Sequence, residues 1–341
     1  MIYRVGVAGA GFGEKAHIAA YRTHPRFEVV AVASPNSAPR VARERNLKHA
    51  FKSVADMVEH AELDVVSIAS PPFAHHADVL AALRAHKHII CEKPFTLNVS
   101  QAEELTAAAQ KSGSACGIMH EFRWVPQRLA MHELIANAHL DPLREIEITQ
   151  LSRNLRGSGD RKRGWWFERS KGGGLAGALL SHLIDTSTWL VGRYPVRSTG
   201  YIRTANAHRH DPGGTFTSTV DDGAFALIDY GGGLIARISA DATSAVESFT
   251  LAAHAENRTA VASGPGMVEN RLFSVDEDET SELECAPMKY ARFESVHPNV
   301  PLIMELLDEF VKQVETGKSA LPTFEDALHT QRVLESIGYR A

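Results

Sequence analysis

The sequence predicts an α/β protein, with a doubly wound parallel sheet on the N-terminal side and a second domain that mixes helices with strand hairpins. Three observations carry that reading. The 341 residues exceed what one hydrophobic core ordinarily serves. Residues 1–121 alternate strand-like apolar runs with helix-periodic stretches. From residue 122 to 341 the alternation gives way to a glycine-punctuated loop, strand hairpins and two closing helices.

In the first domain the strand-like runs are "YRVGVAG", "FEVVAVAS", "DVVSIAS", "HIICE" and "ACGIMH". Between them stand "EKAHIAAYRTH", "APRVARERN", "SVADMVEHA", "HADVLAALRAH" and "NVSQAEELTAAAQKSG", all with helix periodicity and helix-forming composition. Strand, helix, strand in this rhythm means βαβ units, hence parallel pairing. The opening strand runs into Gly9-Ala10-Gly11-Phe12-Gly13 and then a helix. Glycines at such a turn let a pyrophosphate approach backbone N–H groups at a helix N-terminus. Gly9, Gly11, Phe12 and Gly13 are therefore candidate dinucleotide contacts, although Glu14 occupies the place where GxGxxG would want its third glycine. A tight turn with no ligand is the alternative.

The strand "FEVVAVAS" ends at Ser34, with Asn36 and Arg40 following. An acid about 20 residues past the glycines would hold the ribose 2′-OH of NAD. A hydroxyl, an amide and a guanidinium lean instead to the 2′-phosphate of NADP, unless Arg40 lies on the solvent face of its helix. Next, "SIASPPFAHH" leaves the carboxyl edge of the sheet through Ser70, Pro71 and Pro72, a rigid loop lacking two donors. His75, just beyond, either contacts the cofactor or caps the helix. The strand "HIICE" delivers Glu92 and Lys93 to the same edge, with Pro94 locking the exit. A partly desolvated lysine there can hydrogen-bond a substrate hydroxyl and assist proton transfer. The plainer reading is a surface ion pair with Glu92. His120 closes the last strand at that edge and joins Glu92 and Lys93 among the cofactor candidates.

The second domain opens with a connector and helix, "HEFRWVPQRLAMHELIANAHL", then the strand "LREIEITQL". In the loop "NLRGSGDRKRGWWFERSKGGG", Arg161, Trp165 and Trp166 combine cationic groups with indole faces, a pairing suited to a polyol or acidic sugar. Solvated arginines and core tryptophans are the alternative. "ALLSHLIDTSTWLVG" reads as a helix carrying His182 and Asp185, and hairpins follow through "DGAFALIDYGGGLIARISADA" and "SFTLAAHAENRTAVASG". "VDEDETSELE" is a solvated loop or hairpin tip without EF-hand spacing. The closing helices are "PLIMELLDEFVKQVETG" and "FEDALHTQRVLESIGY".

The glycine turn, "SPPFAHH", "CEKPF" and "GGGLAGALLSHLID" together resemble the Gfo/Idh/MocA oxidoreductases over essentially the whole chain, with the EKP tripeptide as the most specific mark. The resemblance implies a Rossmann domain followed by an α+β domain whose large, open antiparallel sheet contributes to subunit contacts in a homodimer or homotetramer. It implies hydride transfer between a nicotinamide and a carbinol or carbonyl carbon of a sugar, cyclitol or related polyol, and the residues after the second strand favour NADP(H) over NAD(H) as that nicotinamide. Lys93 and His182 are the implied catalytic residues, Asp185 a substrate contact, and the Lys93-Pro94 bond is expected to be cis. The sequence departs from the family at Ala178, where an Asp four residues before the histidine is usual. That loss permits a second reading, a cofactor-binding regulator without turnover, and a third keeps the enzyme with transient sugar oxidation in aid of elimination or hydrolysis.

The global features agree with a small-molecule enzyme. A formal charge of -5 supplies no basic face for nucleic acid. No apolar run approaches the roughly 18 residues of a membrane span, and "MIYRVGVAGAG" lacks the basic and apolar regions of a signal peptide, so a cytoplasmic location is expected. Cys91, Cys116 and Cys285 are too few and too scattered for a disulfide framework or a zinc site. The 17 histidines form no compact ligand set, and no metal is expected.

Overall fold

β1 (Tyr3–Ala8), the opening apolar run, is buried along almost its whole length, as a strand covered on both faces must be. The computed structural model describes residues 1–156, 162–277 and 279–340. After a π-helical turn at Gly13–His17 come α1 (Ile18–Thr23), β2 (Phe27–Ala33), α2 (Ala38–Glu44), β3 (His49–Phe51), α3 (Val54–His60), β4 (Val65–Ile68), α4 (Pro72–Arg84), β5 (His88–Cys91), α5 (Val99–Ser112) and β6 (Cys116–Ile118). The strands pair in parallel in the order β3-β2-β1-β4-β5-β6. The order reverses between β1 and β4, and the carboxyl ends of the strands at such a point form the ligand crevice of a doubly wound sheet.

Local chemistry fixes the helix ends. Asn98 Oδ1 accepts from Gln101 N–H at 3.0 Å to start α5, and Gly113, at φ +68°, stops it. Pro72 sits in the first turn of α4, so the second proline of "SPPF" opens a helix where a rigid loop was expected. β3 was not among the apolar runs, because three residues show no periodicity.

The second unit begins with α6 (Pro126–Ala136) and β7 (Leu143–Leu151), then a π-helical turn at Ala176–Leu180 that leads into α7 (Ser181–Val191). Its other strands are β8 (Arg197–Arg203), β9 (His208–Asp211), β10 (Gly214–Thr217), β11 (Gly223–Asp229), β12 (Ile235–Asp241), β13 (Ser248–Ala255), β14 (Thr259–Gly264), β15 (Arg271–Val275) and β16 (Thr280–Leu283). Eight of them form one sheet in the order β16-β15-β14-β13-β7-β12-β11-β8, antiparallel except where β7 meets β12. Ile146, Ile148, Ile238, Leu251 and Ala260 line its inner face with Leu183 and Ile184 of α7 in the core. Thr280–Leu283 of the acidic run is β16, paired with β15. The hairpin of β9 and β10 was not expected, since its residues are mostly polar.

The chain closes with α8 (Val300–Thr316) and α9 (Phe324–Ser336). Expectation placed all of 122–341 in the second domain, but 288–328 belongs to the first unit and 329–341 to the second. Packing gives the reason. Phe310 stacks 6.5 Å from Phe27, Asp308 meets His24 at 3.1 Å, and Phe324 lies 4.4 Å from Phe95. No helix among the described residues is long and apolar enough to cross a membrane.

Candidate functional site

The first-unit candidates lie just past the carboxyl ends of β1, β2, β4, β5 and β6. After β1, Gly9 has φ +105°, and a Cβ there would sit 2.1 Å from the Ala69 carbonyl oxygen, so only glycine lets the β1 and β4 exits come this close. A Cβ on Gly11 would meet nothing within 4 Å, which leaves that backbone open to a ligand. Gly13 packs against Ala69, where a Cβ would come within 3.1 Å, and so takes the close helix-to-strand contact one residue earlier than the spacing GxGxxG. An open backbone beside the first helical turn fits a pyrophosphate. The exposed Phe12 ring meets His17 and His297 edge-on at 5.6 and 5.8 Å.

Past β2, Ser34 is half-buried and Asn36 exposed. Arg40 is engaged by Glu14 at 2.8 Å and by Glu44 at 2.5 Å, and Arg45 joins Glu14 at 3.2 Å. The hydrogen bond from Arg40 holds the Glu14 carboxyl below its usual range. The guanidinium expected to meet a 2′-phosphate is thus shared with a carboxylate next to the glycine turn.

Past β4, Ser70 Oγ donates to Asp78 at 2.6 Å, and Pro71 leads into α4. His75 is not on the open crevice. Its side chain is fully buried, with Nε2 2.8 Å from the Ser70 carbonyl and Nδ1 3.0 Å from the Pro94 carbonyl. It therefore ties the β4 exit to the β5 exit, which is neither the exposed place nor the helix cap that the sequence offered as alternatives to a cofactor contact.

At the β5 exit the Lys93-Pro94 bond is cis and Lys93 is half-buried. Glu92 spends both oxygens inside the fold: Oε1 lies 3.0 Å from His17 Nε2, and Oε2 accepts from Lys93 N–H at 3.1 Å. A carboxylate only accepts, so His17 Nε2 carries the hydrogen, and Nδ1 turns to Ser67 Oγ at 2.8 Å. Burial alone would raise the Glu92 carboxyl. The hydrogen bond from His17 and the charge of Lys93 outweigh it and hold Glu92 below its ordinary value. Glu92 is thus a buried anion beside Lys93, with both carboxylate oxygens engaged by protein groups.

His120, past β6, is 2% exposed. Its neighbour Glu121 was not singled out from the sequence, nor were His17, Ser67 and Asn299. Glu121 accepts from Asn299 Nδ2 at 2.9 Å. A carboxylate directly after the last strand of the sheet was the signal that could have found it.

In the second unit, the glycine motif makes a crowded turn. A Cβ on Gly173 would sit 2.2 Å from the Trp166 carbonyl oxygen, and one on Gly174, at φ +112°, 2.4 Å from Asp221 Oδ1. Asp221 Oδ2 accepts from Ala176 N–H at 2.6 Å and so fastens the turn that leads to His182. Burial pushes Asp221 up to about 6, against that hydrogen bond. His182 is 3% exposed, and its ring meets Phe122 at 4.6 Å. Asp185 is not open to a substrate, because Arg123 Nε and Nη2 hold both of its oxygens at 2.8 and 2.6 Å in the interior. Trp165 and Trp166 are half-buried in a short 3-10 turn, Trp166 against Phe167 at 5.3 Å. Arg161 lies outside the described residues.

Residues 3–120 match the sequence model of an oxidoreductase family, GFO/IDH/MocA, described as an NAD-binding Rossmann fold, and residues 129–262 match the C-terminal domain of that family. An uncharacterized oxidoreductase of Synechocystis is 34% identical over 211 residues, 61% of this chain and 56% of the relative. Levoglucosan dehydrogenase of Pseudarthrobacter phenanthrenivorans is 27% identical over 201 residues, 56% of this chain and 51% of the relative. The chain thus spans about half the length of these curated relatives. A solved levoglucosan dehydrogenase, in complex with NADH and L-sorbose, shares the fold at TM-score 0.85, with 21% identity over 99% of this chain and 97% of that one.

Proposed function

Since the chain belongs to the GFO/IDH/MocA family of oxidoreductases, we propose that it is an NAD(P)-dependent oxidoreductase acting on a carbinol or carbonyl carbon of a sugar, cyclitol or related polyol. The observation that carries this is Lys93, whose N–H donates to the buried Glu92 anion at the carboxyl edge of a doubly wound sheet. Gly9, Gly11 and Gly13 hold the pyrophosphate, and Ser34, Asn36 and Arg40 the adenosine ribose. The nicotinamide, when bound, accepts or returns the hydride. Lys93 and His182 are the candidate catalytic residues for the hydroxyl proton in oxidation, and Trp165 and Trp166 offer indole faces to the sugar. The sugar class is supported by levoglucosan dehydrogenase among the relatives.

NADP(H) is favoured over NAD(H), because no acid stands at Ser34 or Asn36 and the guanidinium of Arg40 follows them in α2. Glu14 competes for that arginine, and the solved relative holds NADH. Titration of nicotinamide fluorescence with NADPH and NADH in parallel decides it. Tighter NADPH binding is expected, and equal or tighter NADH binding removes the preference. Binding of neither removes the dinucleotide site. With the better cofactor, oxidation of sugars and cyclitols is expected, and Lys93→Ala lowers kcat by about 10²–10⁴-fold.

Ala178, at the position where the family usually carries an Asp four residues before the histidine, favours a second reading, a cofactor-binding regulator without turnover. Lys93 and His182 themselves argue for the enzyme. Cofactor binding with no turnover of any polyol would support the regulator. We place the protein in the cytoplasm, with which its three free thiols agree, as a homodimer or homotetramer.

A further inference from the structure

Glu121 follows β6 by three residues and is 1% exposed. Its two oxygens differ. Oε1 accepts from Asn299, whereas Oε2 is buried with no hydrogen-bond partner among the described residues. A bare, buried carboxylate oxygen is costly unless it is protonated or meets a ligand. Glu92 and Lys93, from the β5 exit, are the charged groups that act on it. His17 stands behind Glu92, and Asn299, at the start of α8, donates its own N–H to His297 Nδ1. Its chain neighbours are His120 and Arg123, the latter held by Asp185. Burial first, then the Glu92 charge, push Glu121 up to about 7, while Lys93 and Asn299 pull it down. Such a group exchanges a proton at neutral pH without a large free-energy change.

We propose that Glu121 is the proton-relay residue of the reaction, the carboxylate that takes up the substrate hydroxyl proton by way of Lys93 in oxidation and returns it in reduction. The inference rests on the hydride-transfer reading above. As hydride leaves the carbinol carbon for the oxidised cofactor, the O–H bond breaks and its proton goes to Lys93, which gives one of its own to Glu121. Ketone, reduced cofactor, Lys93 ammonium and Glu121 acid remain, so atoms and charge balance.

Two readouts test it. Carboxyl ¹³C NMR of the ligand-free protein, with Glu121 assigned by its loss in Glu121→Gln, is expected to show a glutamate titrating near neutrality. Its titration in the ordinary range of about 4 to 5 overturns the relay. In the pH profile, wild-type kcat for oxidation is expected to fall about tenfold per pH unit below that midpoint. Glu121→Gln loses this limb and about 10²–10⁴ in kcat, with KM and NADPH affinity little changed. A retained limb or retained kcat overturns the proposal. Should Glu121→Gln fail to fold, Glu121→Asp assigns the NMR signal and is expected to keep the limb at a shifted midpoint, and an unshifted limb overturns the relay. If the wild type binds neither NADPH nor NADH, the function reading fails and the relay with it. The NMR titration is then still observable, so the two failures are distinguishable.

Discussion

Arg123 and Asp185 meet through two short hydrogen bonds in the interior of the second unit, with side chains 7% and 2% exposed. Removing one partner of a buried pair costs about 3–5 kcal/mol, because the other charge keeps its desolvation penalty. Asp185→Ala is therefore expected to lose about that much in urea unfolding, and a loss below about 1 kcal/mol would show the pair to be dispensable. Asp185 also shows where residue-level reading stops. Its type and helical place were readable, but an arginine 62 residues earlier that takes both its oxygens was not. His75 is a similar case, since its partners are backbone carbonyls 5 and 19 residues away. Lys93 was legible because strand, lysine and proline are contiguous. Glu121 was not, because its meaning lies in an unpaired buried oxygen that only three-dimensional packing can show.

Two elements share a construction: a glycine-rich turn leads into a π-helical turn and then an α-helix, at Gly13–His17 and at Ala176–Leu180. Single π turns are rare and often mark functional sites. Asp221 fastens the second of them, and its titration gives this element a pH signature. Its folded-state value is near 6 against 3.8 for the free group, so the folded protein binds the proton more tightly than the unfolded chain. Stability therefore falls as pH rises from about 4 to about 6, and the penalty, on the order of 3 kcal/mol, is fully present above that. Asp221→Asn, which still accepts from Ala176 N–H, is expected to flatten this part of the stability curve measured by urea unfolding from pH 4 to 7. An unchanged slope would mean that Asp221 does not carry it. At this scale the long helices and strands were legible through period and caps. β3 and the β9–β10 hairpin were not, being three or four residues long, and the turn residues Gly213-Gly214 were passed over.

For the whole molecule, periodicity identified α8 as a helix without saying which core it joins. A face carrying Leu302, Leu306 and Phe310 fits any apolar surface, and its place with the first unit is settled by partners far away in sequence. The large sheet raises the opposite question, because its outer face is uncovered within its own unit. Tyr201, Phe225 and Leu227 are 61%, 49% and 41% exposed. Tyr201 pairs directly with Phe225, which pairs with Ser239, and the row continues through Thr149 and Thr250. Beside it, Leu227 pairs with Arg237, which reaches Glu147 at 3.0 Å. An apolar strip next to an ion-paired ladder suits a second copy of the same face, the homo-oligomer proposed above. Light scattering of the wild type is expected to give a dimer or tetramer. Phe225→Glu with Leu227→Lys is expected to give a monomer that binds cofactor as before, because these side chains leave solvent only on association. A wild-type monomer, or an undisturbed oligomer in the double variant, would move the subunit contact off this face.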